Sequence, residues 1–183
     1  MFEANVYLNH QSAAQIAKDR RDSSAPDSQV ALHLYREARA KAWFNRLRSA
    51  VSGRRNQMLD LSALPGRQIG SRRYAGTQPV PIDRIRGSEG RSSDFDADFN
   101  PLQTKTRDRW VSIAIARQIR QPLPPVELIQ VGDVYFVRDG HHRISVARAL
   151  GQSAVDAEVT VWEVNGPLPW DEAPAGELAL RPA

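Results

Sequence analysis

Between Val134 and Gly151 the residues read as a short strand, a single tight turn and a helix, and the rest of the chain is organised around that passage. Apolar residues alternate up to Val137, Gly140 permits a turn that other residues resist, and Ile144, Ala147, Ala149 and Leu150 then recur at helical spacing. Just upstream, Val126 to Val131 also alternates and Gly132-Asp133 turns the chain back, so a hairpin feeds the turn. Gly151 suits the position that stops the helix. The polar residues of the turn, Asp139, His141, His142 and Arg143, sit where a helix begins. Free backbone N–H groups and the positive end of the helix dipole face whatever those side chains face, which suits a phosphate or carboxylate.

Composition removes several chemistries. The chain has 183 residues, enough for one ordinary domain with an extension. It contains no cysteine, which excludes a disulfide framework, a thiolate metal site and any cysteine nucleophile. No apolar run approaches bilayer length, and the polar start Met1-Phe2-Glu3-Ala4-Asn5 lacks the basic and apolar regions of a secretion signal. A cytoplasmic protein with no membrane partner is the expectation. Residues 1–60 carry ten Lys plus Arg against six Asp plus Glu, residues 61–125 eleven against six, and residues 126–183 four against nine. Only Lys18, Lys41 and Lys105 are lysine, and arginine is the better bidentate phosphate ligand. A nucleotide or nucleic-acid partner is favoured over a purely solvated charge excess only weakly.

Asp139-Gly140-His141-His142-Arg143, followed by Ala147, Leu150 and Gly151, resembles the signature turn and helix of the ParB/sulfiredoxin superfamily. Pro81-Ile82-Asp83-Arg84-Ile85 resembles its first strand, and Pro125-Val126-Glu127-Leu128 with Asp133-Val134-Tyr135-Phe136-Val137 its central hairpin. The resemblance covers residues 78–164. It implies an α/β (α+β) fold with a small mixed sheet, here carrying a helical N-terminal extension, and a Gly-x-x-Arg turn that cradles nucleotide phosphates. Sulfiredoxins place a catalytic cysteine just before the His-Arg pair; His141 stands there in this chain, so redox activity is excluded. In a kinase branch that shares the Asp-Gly-His-His-Arg turn, a glutamate from the loop after the first strand is the general base. Glu89 is the candidate by position. The second arginine of the usual ParB phosphate motif is absent, and no helix-turn-helix reader follows Val164.

The expected organisation is a basic helical extension over residues 1–60, an arginine-rich connector over 61–77, the main domain over 78–164 and a flexible tail over 165–183. In the extension a short helix over 11–21 and a linker from Ser23 to Ser28 precede a longer helix ending near Ser52. Leu34, Tyr35, Ala38, Ala42, Leu47 and Val51 approximate its apolar stripe. Arg36, Arg39, Arg46, Arg54 and Arg55, with Arg72 and Arg73 of the connector, are the candidate nucleic-acid contacts, weighed against a solvated surface helix. Trp43 and Phe44 interrupt its polar side. Val80, Ile82 and Ile85 mark a strand over 80–86, followed by a flexible loop containing Glu89. Asp94, Asp96 and Asp98 alternate but lack the glycine and glutamate of a calcium loop, so Phe95 and Phe99 are expected to anchor this segment while the acids point outward. Residues 104–120 form a helix capped by Thr104 or Thr106, with Trp110, Val111, Ala114, Ile115 and Ile119 apolar. Val155 to Val164 supplies a last strand.

Adjacent histidines seldom converge on one metal ion, so no metal site is assigned. His142 bonded to backbone with His141 in solvent competes with a phosphate site. In that site Gly140, His141, His142 and Arg143 bind the nucleotide and Asp139 orients a histidine or holds a hydrated magnesium. The leading expectation is a ParB-like nucleotide-phosphate-binding module in a nucleic-acid setting, with a nucleoside triphosphate of open identity, magnesium, and non-specific nucleic acid as partners. Asp139, His141 and Glu89 are the residues for a hydrolytic step. A serine-type small-molecule kinase is the alternative, and a metal-dependent nuclease the weakest. Oligomeric state is open.

Overall fold

The computed structural model describes residues 4–53 and 56–170, with side chains from residue 27 onward except Arg67. In chain order the elements are α1 (Ala4–Ser52), β1 (Leu59–Asp60), β2 (Ile69–Pro81), β3 (Ile85–Ser88), α2 (Arg107–Gln118), β4 (Val126–Val131), β5 (Val134–Asp139), α3 (His141–Ala149) and β6 (Ala154–Val164). The strands form one mixed sheet in the order β1-β3-β5-β4-β6-β2. The fold is α/β, as the alternation and the helical spacing require. At its centre the predicted hairpin pairs Val131 with Val134 and Ile129 with Phe136, and Gly132 takes the turn at φ 61°. Both faces of these two strands are apolar because both are covered. Val126, Leu128, Tyr135 and Val137 join Ile144 and Ala147 of α3 in one core. Ile129, Val131, Val134 and Phe136 join Leu61, Leu64 and Trp162 in the other.

Two stretches of the middle chain differ from expectation. The connector contains β2, which lies at the sheet edge and pairs antiparallel with β6 from Ile69↔Val164 to Pro81↔Ala154. Register shifts after Ile69 and Tyr74, with Gly76 at φ 82°, break the period-two pattern. An edge strand held by backbone bonds to one neighbour also needs few buried side chains, and only Val80 of β2 is buried. The expected strand over 80–86 is divided: β2 ends at Pro81, one 3-10 turn covers Ile82–Arg84, and β3 begins at Ile85.

Helix α1 runs without the break expected at Ser23 to Ser28. A proline inside a helix removes one hydrogen bond and costs about 3 kcal/mol, which weakens a helix of 49 residues locally without forbidding it. Its buried residues are Ala31, Tyr35, Ala38 and Ala42, whereas Leu47 and Val51, expected in the stripe, are exposed. The alanines let α1 lie close to α2 and α3, where Ala31, Tyr35 and Ala38 meet Trp110, Ala114 and Val146. Trp43 and Phe44 are also exposed and touch each other edge to face. Tyr35 donates to the Gln103 carbonyl at 3.3 Å and Arg39 to that of Leu102 at 2.6 Å. In α2, Trp110, Ala114 and Ala116 are buried, but Ile119 lies beyond the helix end and is exposed. Thr106 takes the N-cap position, yet its hydroxyl donates to the Gln103 carbonyl instead of accepting from the helix.

Phe95 and Phe99 are buried as expected, but Asp96 is buried with them and does not point outward. Its carboxylate accepts from the Asp98 N–H (3.0 Å), the Asn100 N–H (2.8 Å), the Asn100 side chain (3.0 Å) and Asn45 of α1 (3.0 Å). Four donors saturate a carboxylate, so it needs no cation inside. After β6 the chain packs instead of trailing away: the Asn165 N–H donates to the Gln68 carbonyl at 2.9 Å, and Trp170 meets Phe136 at 4.8 Å. The rest of the expected tail, residues 171–183, lies outside the described residues. Among the described residues no helix is long and apolar enough to cross a membrane.

Gly87 stands where β3 passes β1 and β5. A Cβ there would lie 2.3 Å from the Phe136 ring and 2.7 Å from the Leu59 carbonyl oxygen. Gly87→Ala should therefore cost on the order of 3 kcal/mol. Urea unfolding of both proteins checks this, and a midpoint shift equivalent to less than 0.5 kcal/mol (roughly the scatter of a neutral surface change) contradicts the packing.

Candidate functional site

β5 ends at a register shift against β4, which pairs Leu128 with Val137 and Glu127 with Asp139. Val137 packs under α3. Gly140 then turns the chain in one residue at φ 100° and ψ 19°, the left-handed region. A Cβ on Gly140 would meet Val126 Cγ1 at 2.5 Å, so neither backbone shape nor space admits another residue. The Ile144 N–H closes the first helical turn on the Gly140 carbonyl at 3.0 Å, and no side chain caps the helix start. The opening N–H groups of α3 thus keep their preference for an anion.

Arg143, expected on a phosphate, is engaged within the chain. Its Nη1 donates to the carbonyls of Pro124 (2.6 Å) and Pro125 (2.7 Å), and its Nη2 to Asp139 Oδ2. Asp139 therefore orients Arg143 and not a histidine, while 58% of its side chain is exposed. Glu89 pairs with Arg138 at 2.8 and 3.3 Å, and the Arg138 pKa is raised chiefly by that hydrogen bond. Glu89 is thus tied to Arg138, the neighbour of Asp139, and not to a residue of the turn.

Both histidines are buried, in contrast to the alternative with His141 in solvent. His141 stacks on Phe95 with 17° between the rings and its Nε2 lies 2.8 Å from Ser88 Oγ, while His142 meets Phe95 edge-on at 5.2 Å. Burial first, with the nearby positive charge of Arg91, lowers both pKa values to about 4. Arg109 acts likewise on His142. At neutral pH the pair is uncharged. Among the described residues His142 Nδ1 is buried without a hydrogen-bond partner.

Arg91 and Arg109 are the residues that sequence reasoning missed. Both are exposed and line a shallow cleft with Ile113 and Asp139 through Arg143. The cleft encloses only about 30 Å³, room for a water or two, so a larger ligand would lie across its mouth. The one sequence signal was Arg109 four residues before Ile113, which puts both on one helix face. The candidate nucleic-acid residues are not gathered at this cleft. Arg36 and Arg46 are exposed on α1, Arg39 is held by Leu102, Arg72 stacks over Trp162 at 4.1 Å and Arg73 is exposed on β2. Arg54 and Arg55 lie outside the described residues. A larger groove of about 480 Å³ runs between α1 and the end of α3, lined in part by Lys41, Asn45, Arg48, Asp98 and Arg148.

Comparisons with protein-family models and with curated proteins find no match. Among solved structures the chain is similar to sulfiredoxin from Arabidopsis thaliana, with 24% sequence identity, 45% of this chain and 82% of that one covered, and a TM-score of 0.32. A likeness of that degree carries no argument about activity.

The buried histidines set a pH dependence. Their pKa falls from an ordinary 6.5 to about 4 on folding, so between those values the unfolded chain binds protons that the folded chain refuses. Stability should be full above pH 6.5 and fall toward pH 4, by up to about 1.4 kcal/mol per pH unit for each histidine. Urea midpoints at pH 7, 5.5 and 4.5 test this, and His141→Asn should flatten the decline; a flat profile for the parent chain would contradict neutral burial.

Proposed function

We propose that the chain is a phosphate-binding module whose ligand is the phosphate portion of a nucleotide. The observation that carries this reading is the uncapped start of α3 facing a cleft that also holds Arg91, Arg109 and two neutral histidines. Backbone N–H groups, two guanidinium groups and imidazole N–H donors together suit an acceptor-rich anion. The charge falls to Arg91 and Arg109, because Arg143 is occupied with Pro124, Pro125 and Asp139. Asp139 keeps one oxygen free of Arg143 and lines the cleft, so it is the residue that would hold a hydrated magnesium, which would supply charge neutralisation for the ligand. Binding is favoured over turnover, since the carboxylate nominated as general base, Glu89, is neutralised by Arg138. A nucleic-acid setting rests on the exposed arginines of α1 alone.

Titration with pyrophosphate and with nucleoside triphosphates, each with magnesium, should raise the melting temperature. Arg91→Ala and Arg109→Ala should each weaken binding by about tenfold or more, the magnitude for a hydrogen bond to a charged group. Arg143→Ala should instead lower stability in the absence of ligand. The reading is lost if no phosphate compound at millimolar concentration moves the melting temperature of the parent chain.

A further inference from the structure

Ser88 ends β3 with its side chain fully buried, and its hydroxyl makes three contacts. The Gly90 N–H donates to Oγ at 3.2 Å, the Arg91 N–H donates to it at 2.9 Å, and His141 Nε2 lies 2.8 Å away. A hydroxyl has two lone pairs and one proton. The two backbone donors occupy the lone pairs, so the proton can go only to His141. Nε2 must then be the acceptor, and the proton of the neutral ring is left on Nδ1.

We infer that Ser88 is a positioning residue that holds His141 as the Nδ1–H tautomer, making the ring a hydrogen-bond donor to the anion in the cleft. The donor role rests on the phosphate reading above; the tautomer does not. Because the Ser88 hydroxyl also accepts from the Arg91 N–H, one group ties together the loop that carries the cleft's cation and the ring that lines the cleft. The same hydrogen-bond count excludes the reading that a serine beside a histidine invites. Both lone pairs of Oγ are taken and the residue is inaccessible, so Ser88 is not a nucleophile. His141 Nε2 accepts the Ser88 proton as a general base would, but the buried oxygen has no lone pair left with which to attack.

The test uses the full chain labelled with nitrogen-15 in histidine, and a long-range proton–nitrogen correlation spectrum at pH 7, with His141→Asn assigning the signals. The expected spectrum shows His141 Nδ1 protonated and Nε2 bare, with pyrophosphate shifting the Nδ1 proton. Ser88→Ala should mix the two tautomers and weaken pyrophosphate binding by about three- to tenfold, the range for one neutral hydrogen bond. An Nε2–H ring in the parent chain overturns the inference whatever pyrophosphate does, and needs no variant to fold. Folded Ser88→Ala with the parent's tautomer, or with the parent's affinity, overturns it as well. A parent chain that shows the Nδ1–H ring but ignores pyrophosphate overturns the phosphate reading while supporting the assignment of the tautomer to Ser88.

Discussion

Arg143 donates from one nitrogen to two successive proline carbonyls and from another to Asp139, and the arrangement of the central strands depends on this clamp. Pro122, Pro124 and Pro125 offer no N–H to a ladder, so the segment entering β4 cannot be secured by ordinary sheet bonds. The guanidinium secures it from α3. At the same corner Gly140 presses on Val126, the first residue of β4. A three-donor contact and a close backbone approach therefore lock β4, the end of β5 and the start of α3 together. Removing the guanidinium would release two carbonyls and a carboxylate at once and untie the entry to β4 from α3.

The same corner determines the electrostatics of the cleft. With Arg143 pairing Asp139, the positive potential felt by the histidines comes from Arg91 and Arg109, on two elements distant in sequence. Burial against Phe95 keeps the rings neutral, so they contribute directional donors and acceptors without charge. Asp96, close in sequence to Phe95, is satisfied entirely by amide and backbone donors. It joins α1 to the loop without drawing on the cations of the cleft.

The hairpin, the Gly140 turn and the helix after it were legible because each obeys a local rule: two short apolar runs turned back at Gly132, a position reserved for glycine, then period 3.6. Strand β2 was not, since an edge strand with two register shifts has neither buried alternate residues nor an unbroken period. The stripe of α1 was read correctly at Tyr35, Ala38 and Ala42 and wrongly at Leu47 and Val51, because the helix outruns the surface it packs on. Of the candidate site, Asp139, Gly140 and the two histidines do converge at the cleft. The partners of Arg143 and Glu89 were hidden, because a sequence does not reveal whether a guanidinium meets a ligand or its own chain. Ser88 passed for loop for a similar reason: its role depends on a contact 53 residues away.

Whether a site of this kind binds or turns over its ligand is decided by where a proton can go. A hydrolytic step needs a base with a free lone pair beside the attacking water. Arg138 takes two of the four lone pairs of Glu89, one on each oxygen, and Ser88 takes the single accepting nitrogen of His141. Asp139 keeps one oxygen free of Arg143, but its other oxygen anchors that residue, so a proton taken up by the carboxylate would weaken the clamp that holds β4 against α3. Turnover through Asp139 would then be coupled to loosening of the corner that forms the cleft, whereas binding leaves that corner intact. Under the proposed phosphate reading, these hydrogen bonds favour holding an anion over cleaving it.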